Sequence, residues 1–278
     1  MGAWFANFLS SNGYQVVICD KNTTAAKRMA TKKRFKIVSN PIRAAQMSEI
    51  VLFATPTLTT KSLLKQISDR IARTTLLVEI SSIKEPVRKT VQALSRRGIK
   101  IMSIHPMFGP GATTLKGKSI IIAQQPVDCN LSKRLVSVFS KRGAKIIRSS
   151  MADHDRLVAT TLTLPHLMNF AFVETLKRVG LSIDRARDVG GTTFNLQLLI
   201  AEALYHENPH NEVSILADNK HSQTVLTTFI RQTNRARRQR RTELLRRLSS
   251  NAAYVRKSKQ FGKAHARFTA AVEASNGS

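Results

Sequence analysis

With 278 residues, 42% of them apolar, the chain is long enough for one large domain or two ordinary ones, each with a proper core. Forty-five Lys and Arg against 17 Asp and Glu leave a net charge of +28, so the surface attracts polyanions whatever else the protein does. No uninterrupted apolar run of about 18 or more residues is present, which excludes a membrane-spanning helix. Cys19 and Cys129 stand apart in no metal or redox spacing, and the opening residues lack the charged and apolar regions of a signal peptide, so a reducing cytoplasm is the expected compartment.

In chain order, the first half alternates apolar runs with helical patterns. Tyr14 to Asp20, Glu49 to Pro56, Thr75 to Ser82, Ile99 to Pro106, Lys118 to Gln124 and Gly143 to Ser150 read as buried strands. Ahead of the first, Ala3 to Ser11 reads as a helix, and between them Thr24 to Arg34 and Thr59 to Ala72 do. This alternation predicts an α/β domain built on a doubly wound, Rossmann-like parallel sheet. From Asp153 onward the period becomes helical, which sets a boundary near 150: a dinucleotide-binding domain over 1–150 and an all-helical domain over 151–278. Late in the chain, Arg231 to Leu248 reads as one helix, with Leu244, Leu245 and Leu248 on one side and arginines on the rest. A solvated face is the plainer reading. One Trp and three Tyr supply little for stacking bases, so nucleic acid is expected only non-specifically, through charge.

A dinucleotide fold opens with a strand, a G-x-G-x-x-G turn, a helix and a second strand ending in an acidic residue. This chain enters that pattern partway: Gly2, a helix, Gly13 and a strand ending in Asp20, 18 residues beyond Gly2. The domain is therefore read as lacking its first strand and the first two glycines. A carboxylate at Asp20 suits ribose hydroxyls and repels a 2′-phosphate, favouring NAD, while Lys21 and Arg28 nearby keep NADP open. Loops at the carboxyl ends of parallel strands line the ligand crevice. That places Thr55 and Pro56, then Ser81, Ser82 and Lys84, then His105 and Pro106 at successive strand ends. His105 follows an apolar strand and is locked by Pro106, which marks it as the candidate functional histidine. His154 and His166 read as packing or capping residues, and Pro209 in "HENPH" breaks helical presentation, so no metal site is expected.

The stretches "ATPTLTTKSLL", "EISSIKEPV", "IHPMFGPGATTLKGKSIII", "ADHDRLVATTLTLPHLMNFAF" and "HENPH" occur together and in order. In this the chain resembles prephenate dehydrogenases, both the archaeal type and the dehydrogenase part of bifunctional chorismate mutase–prephenate dehydrogenases. The resemblance implies NAD-dependent oxidative decarboxylation of prephenate to 4-hydroxyphenylpyruvate in tyrosine biosynthesis. His105 would take the proton of the ring hydroxyl, with Ser82 sharing that contact. Lys84 and His166 would face the substrate, while Gly2, Asp20, Thr55 and Pro56 would serve the cofactor. The helical domain would form a homodimer. Arogenate as substrate, or a catalytically impaired relative acting as a dimeric or polyanion-binding protein, are the alternatives. Two departures stand out: the absent phosphate-turn glycines, and Ala203, eight residues after Asn195, where the family commonly has an arginine for a substrate carboxylate. Glu202 beside it has the wrong sign; Arg185 or Arg187 are candidates to compensate.

Overall fold

The computed structural model describes residues 1–33, 35–126, 128–206 and 209–276. Arg34, the expected end of a helix, and Glu207 and Asn208 of "HENPH" lie outside the described residues. The chain divides into two compact units, Met1–Val158 with Val213–Lys220, and Ala159–Glu212 with His221–Ser278.

The first unit runs α1 (Gly2–Ser10), β1 (Val17–Ile18), α2 (Thr23–Lys33), β2 (Lys36–Ile37), α3 (Pro41–Gln46), β3 (Ile50–Phe53), α4 (Thr57–Ser68), β4 (Leu76–Glu79), α5 (Glu85–Arg96), β5 (Ile101–Pro106), β6 (Ser119–Gln124), α6 (Asn130–Lys141), β7 (Lys145–Arg148) and α7 (Met151–Val158). The six apolar runs become β1 and β3 to β7; the added strand, β2, is two exposed residues with no apolar pattern to announce it. β1 and β2 form a separate parallel pair, and the main sheet has the order β3-β4-β5-β6-β7. All its neighbours are parallel except β5 and β6. That one pair departs from the all-parallel expectation for a chemical reason: a parallel crossover needs a long connection, usually helical. Residues 107–118 contain Gly109, Pro110, Gly111 and Gly117 and form no helix, so the chain doubles back.

The strands bury both faces. Leu76, Val78, Met102 and Ile104 pack with Phe5 of α1 and with Leu135 and Phe139 of α6. Leu77 and Ile101 pack with Leu64 and Ile67 of α4 and Val87, Val91 and Leu94 of α5. Each such side chain contributes about 1.5–3 kcal/mol when fully buried. Because strand side chains alternate, Glu79, Ser103 and His105 share the α5 side with Leu77 and Ile101.

The second unit opens with a π-helical turn, Ala159–Thr163. It continues through α8 (Leu164–Arg178), α9 (Ile183–Val189), α10 (Thr192–Tyr205), α11 (Pro209–Ala217, whose last turns belong to the first unit), α12 (Ser222–Arg238), α13 (Arg241–Arg256) and α14 (Ala264–Asn276). Pro165 explains the widened π turn: it has no N–H to give and its ring crowds the carbonyl four residues back. The arginine-rich segment is two helices rather than the single one expected. It breaks at Gln239, whose backbone is extended and whose side chain bonds Glu243 and, at 2.6 Å, Arg247 of α13. No helix among the described residues is long and apolar enough to cross a membrane.

Candidate active site

β4 ends in a carboxylate that the surrounding strands enclose completely. Glu79 Oε1 accepts from Lys84 Nζ at 2.8 Å and from the Ser103 hydroxyl, and Oε2 accepts from the Ser81 backbone N–H at 2.8 Å. Lys84 Nζ also donates to the Ile104 carbonyl at 2.7 Å, and both charged side chains are fully buried. Burial pulls the Lys84 ammonium below its ordinary pKa; Glu79, then Asp155, oppose that. The ion pair ties the β4–α5 loop to β5, one residue before His105.

A second chain of polar groups starts at α7. Asp155 Oδ1 accepts from the Lys84 backbone N–H at 2.9 Å and Oδ2 from the Glu85 N–H at 2.7 Å, so the carboxylate sits at the positive end of α5 and satisfies two of its orphan donors. Asn219 Nδ2 donates to the Asp155 carbonyl at 2.7 Å. Next to it, His154 Nδ1 lies 2.8 Å from Asp155 Oδ1, and His154 Nε2 lies 2.8 Å from His105 Nδ1. The β5–β6 register shifts between Ser103 and Ile104, immediately before His105; bulges of this kind re-aim side chains beside functional sites. Burial holds His105 well below the ordinary histidine pKa, with His154 and Lys84 adding to the effect. Burial lowers His154 as well, against the hydrogen bond that Asp155 accepts from it.

The other singled-out residues are spread more widely. Ser82 is half-buried in the β4–α5 loop, next to Ser81, whose hydroxyl is enclosed without a partner among the described residues. Lys84 turns inward to Glu79. Gly2 opens α1, and a Cβ there would come 3.4 Å from that of Ala54, so helix and strand end run close together. Asp20 is exposed after β1 and accepts the Asn22 N–H at 2.8 Å. Thr55 and Pro56 lie exposed between β3 and α4, with Thr55 Oγ1 2.8 Å from Thr60 Oγ1. Neither α1 nor α4 has an acidic residue in its first turn or a side-chain cap. The N-termini of α1 and of α4, the latter following β3, with a carboxylate just beyond β1, fit the diphosphate and ribose of a dinucleotide. In the second unit, His166 Nδ1 is 2.6 Å from Glu212 Oε2; Ala203 is exposed on α10, and neighbouring Glu202 pairs with Arg187 at 2.5 Å.

Sequence reasoning missed Glu79, Asp155 and the role of His154 beside His105. The signal for Glu79 was an acid inside an otherwise apolar strand run, which demands a buried cation close by. Nothing local in "ADHD" says which strand its histidine meets.

A family model described as the nucleotide-binding domain of prephenate dehydrogenase matches residues 5–148, and one described as its dimerization domain matches residues 150–250. A Methanocaldococcus jannaschii protein described as a probable arogenate/prephenate dehydrogenase is 26% identical over 84% of this chain and 52% of its own length. The chain thus spans about half the length of the curated relatives it matches. Synechocystis arogenate dehydrogenase has a similar fold, with a TM-score of 0.67 at 17% identity over 92% of this chain and 95% of that one. Prephenate dehydrogenase from A. aeolicus, solved with hydroxyphenyl propionate and NAD+, gives 0.62 at 18% identity over 92% and 94%. With both halves matched in order by the two parts of one family, the chain belongs to the prephenate dehydrogenase family.

Proposed function

We propose that the chain catalyses NAD-dependent oxidative decarboxylation of prephenate to 4-hydroxyphenylpyruvate. The observation that carries this reading is His105: enclosed at the end of β5, backed by His154, and held neutral by burial. A neutral imidazole is a competent general base near pH 7. In the proposed step His105 takes the proton of the substrate's ring hydroxyl as the C–O bond becomes a carbonyl. A bound nicotinamide, when present, supplies the acceptor for the hydride that leaves the same carbon. The C–C bond to the ring carboxylate then breaks, carbon dioxide departs, and its electron pair aromatises the ring; His105 returns its proton to the phenolic oxygen. Substrate and oxidised cofactor thus give product, carbon dioxide and reduced cofactor with no net proton.

Ser82 is assigned to the same hydroxyl and His166 to the substrate, while Gly2, Asp20, Thr55 and Pro56 are assigned to the cofactor. Lys84 is assigned a holding role, because Glu79 and the Ile104 carbonyl already occupy its ammonium. The homodimer is part of this proposal: Leu245 and Leu248 are 64% and 56% exposed on α13 in the isolated chain, and apolar exposure on that scale suits a partner.

The test is reduced-cofactor formation by the purified chain, followed by absorbance with prephenate and separately with arogenate. A rate with prephenate that falls about 100-fold or more in His105→Asn is the expected result, in the range a positioned base supplies. A rate with arogenate alone reassigns the substrate. Undiminished turnover in His105→Asn removes the base, and no turnover with either substrate removes the dehydrogenase reading.

A further inference from the structure

We infer that Asp155 and His154 are positioning residues that fix the ring tautomer of His105, so that its Nε2 presents a bare lone pair to the substrate. The use of that lone pair rests on the proposed dehydrogenase chemistry; the tautomer itself follows from donor and acceptor accounting along three side chains.

An ionised carboxylate only accepts. Asp155 already accepts two backbone N–H groups, from Lys84 and Glu85, so its contact with His154 Nδ1 at 2.8 Å requires that nitrogen to carry the hydrogen. A neutral imidazole has one donor and one acceptor nitrogen, which makes His154 Nε2 the acceptor. The 2.8 Å contact with His105 Nδ1 then requires the hydrogen on His105 Nδ1. One nitrogen is left: His105 Nε2 must be unprotonated. It makes no hydrogen bond with the described residues, and it is absent from their fully enclosed, unpartnered polar atoms. That nitrogen is therefore not completely enclosed, in a residue that is 4% exposed.

The arrangement also prepares the protonated form. When Nε2 takes a proton, the Nδ1–H already points at His154, and the charge has a route of two short hydrogen bonds toward a carboxylate. The charged groups acting on the two rings are Lys84 at the start of α5, Glu79 at the end of β4 and Asp155 on α7. Lys84 opposes protonation of both rings, and Asp155 supports it on His154. Asp155 thus does two jobs at once: it caps the helix that carries the serine loop and orients the base.

Imidazole 15N NMR on the free protein at neutral pH reads the tautomers without cofactor or substrate, with each ring assigned by its loss in His105→Asn and His154→Gln. Nδ1–H on both rings and a bare His105 Nε2 is the expected result; a hydrogen on Nε2 of either ring overturns the inference. In turnover, Asp155→Asn keeps an oxygen to cap α5 but loses the charge. Its kcat is expected to fall about tenfold or more with KM little changed, and the acid limb of its rate profile to move to lower pH. A lower plateau with an unmoved limb would assign Asp155 to the fold alone and overturn the relay. His154→Gln retains an acceptor for His105 Nδ1–H and His154→Leu does not, so equal loss in the two also overturns it. If the parent chain turns over neither substrate, the dehydrogenase reading falls while the NMR measurement still decides the tautomer.

Discussion

Lys84 and Glu79 each bring a full charge out of water, and neither could remain there alone. Their attraction offsets the desolvation only because Ser103, the Ser81 N–H and the Ile104 carbonyl satisfy the remaining valences. Lys84→Met leaves the Glu79 carboxylate buried without its cation, and such a loss costs about 3–5 kcal/mol. The urea midpoint is expected to fall accordingly, and Glu79→Gln added to Lys84→Met to recover part of it. A Lys84→Met midpoint equal to the parent's would show that Lys84 is free for another task. The sequence marked Lys84 as a crevice residue because of its place after a strand. Which way the ammonium turns depends on Glu79, whose charge was hidden within "TLLVEISS".

Strand β5 and helix α7 meet at two histidines, and that contact carries a pH dependence. Both folded-state pKa values lie below the ordinary 6.5. Above that value folded and unfolded chains are equally neutral at these sites, and stability is intact. As pH falls below it, the unfolded chain takes up protons that the buried rings refuse, and stability is lost until the lowered folded values are passed. The urea midpoint should therefore drop between about pH 7.5 and about pH 5.5, and drop less in His105→Asn. An equal drop in parent and variant would place the titration elsewhere. Most elements were legible from apolar period, including the six principal strands. The direction of β6 was not, since it depends on what the Gly- and Pro-rich connection cannot build. Nor was the break at Gln239, because arginine-rich sequence is helical on either side of it.

For the molecule as a whole, the +28 charge remains the outstanding property. Binding to duplex DNA is expected at low ionic strength, without sequence preference, and to weaken steeply between about 50 and 200 mM salt as counterion release ceases to favour it. Sequence-dependent or salt-resistant binding would require a shaped site rather than charge. By itself, the sequence determined the layered α/β and helical organisation and the family, and it singled out His105 as the candidate base, because apolar period and a rigid "HPMFGP" turn are local properties of the chain. Only the tertiary structure decided what stands behind that histidine. His154 is 49 residues from His105 and Asp155 is 71 from Lys84; burial makes their hydrogen bonds obligatory, and no local pattern records which distant donor meets which acceptor.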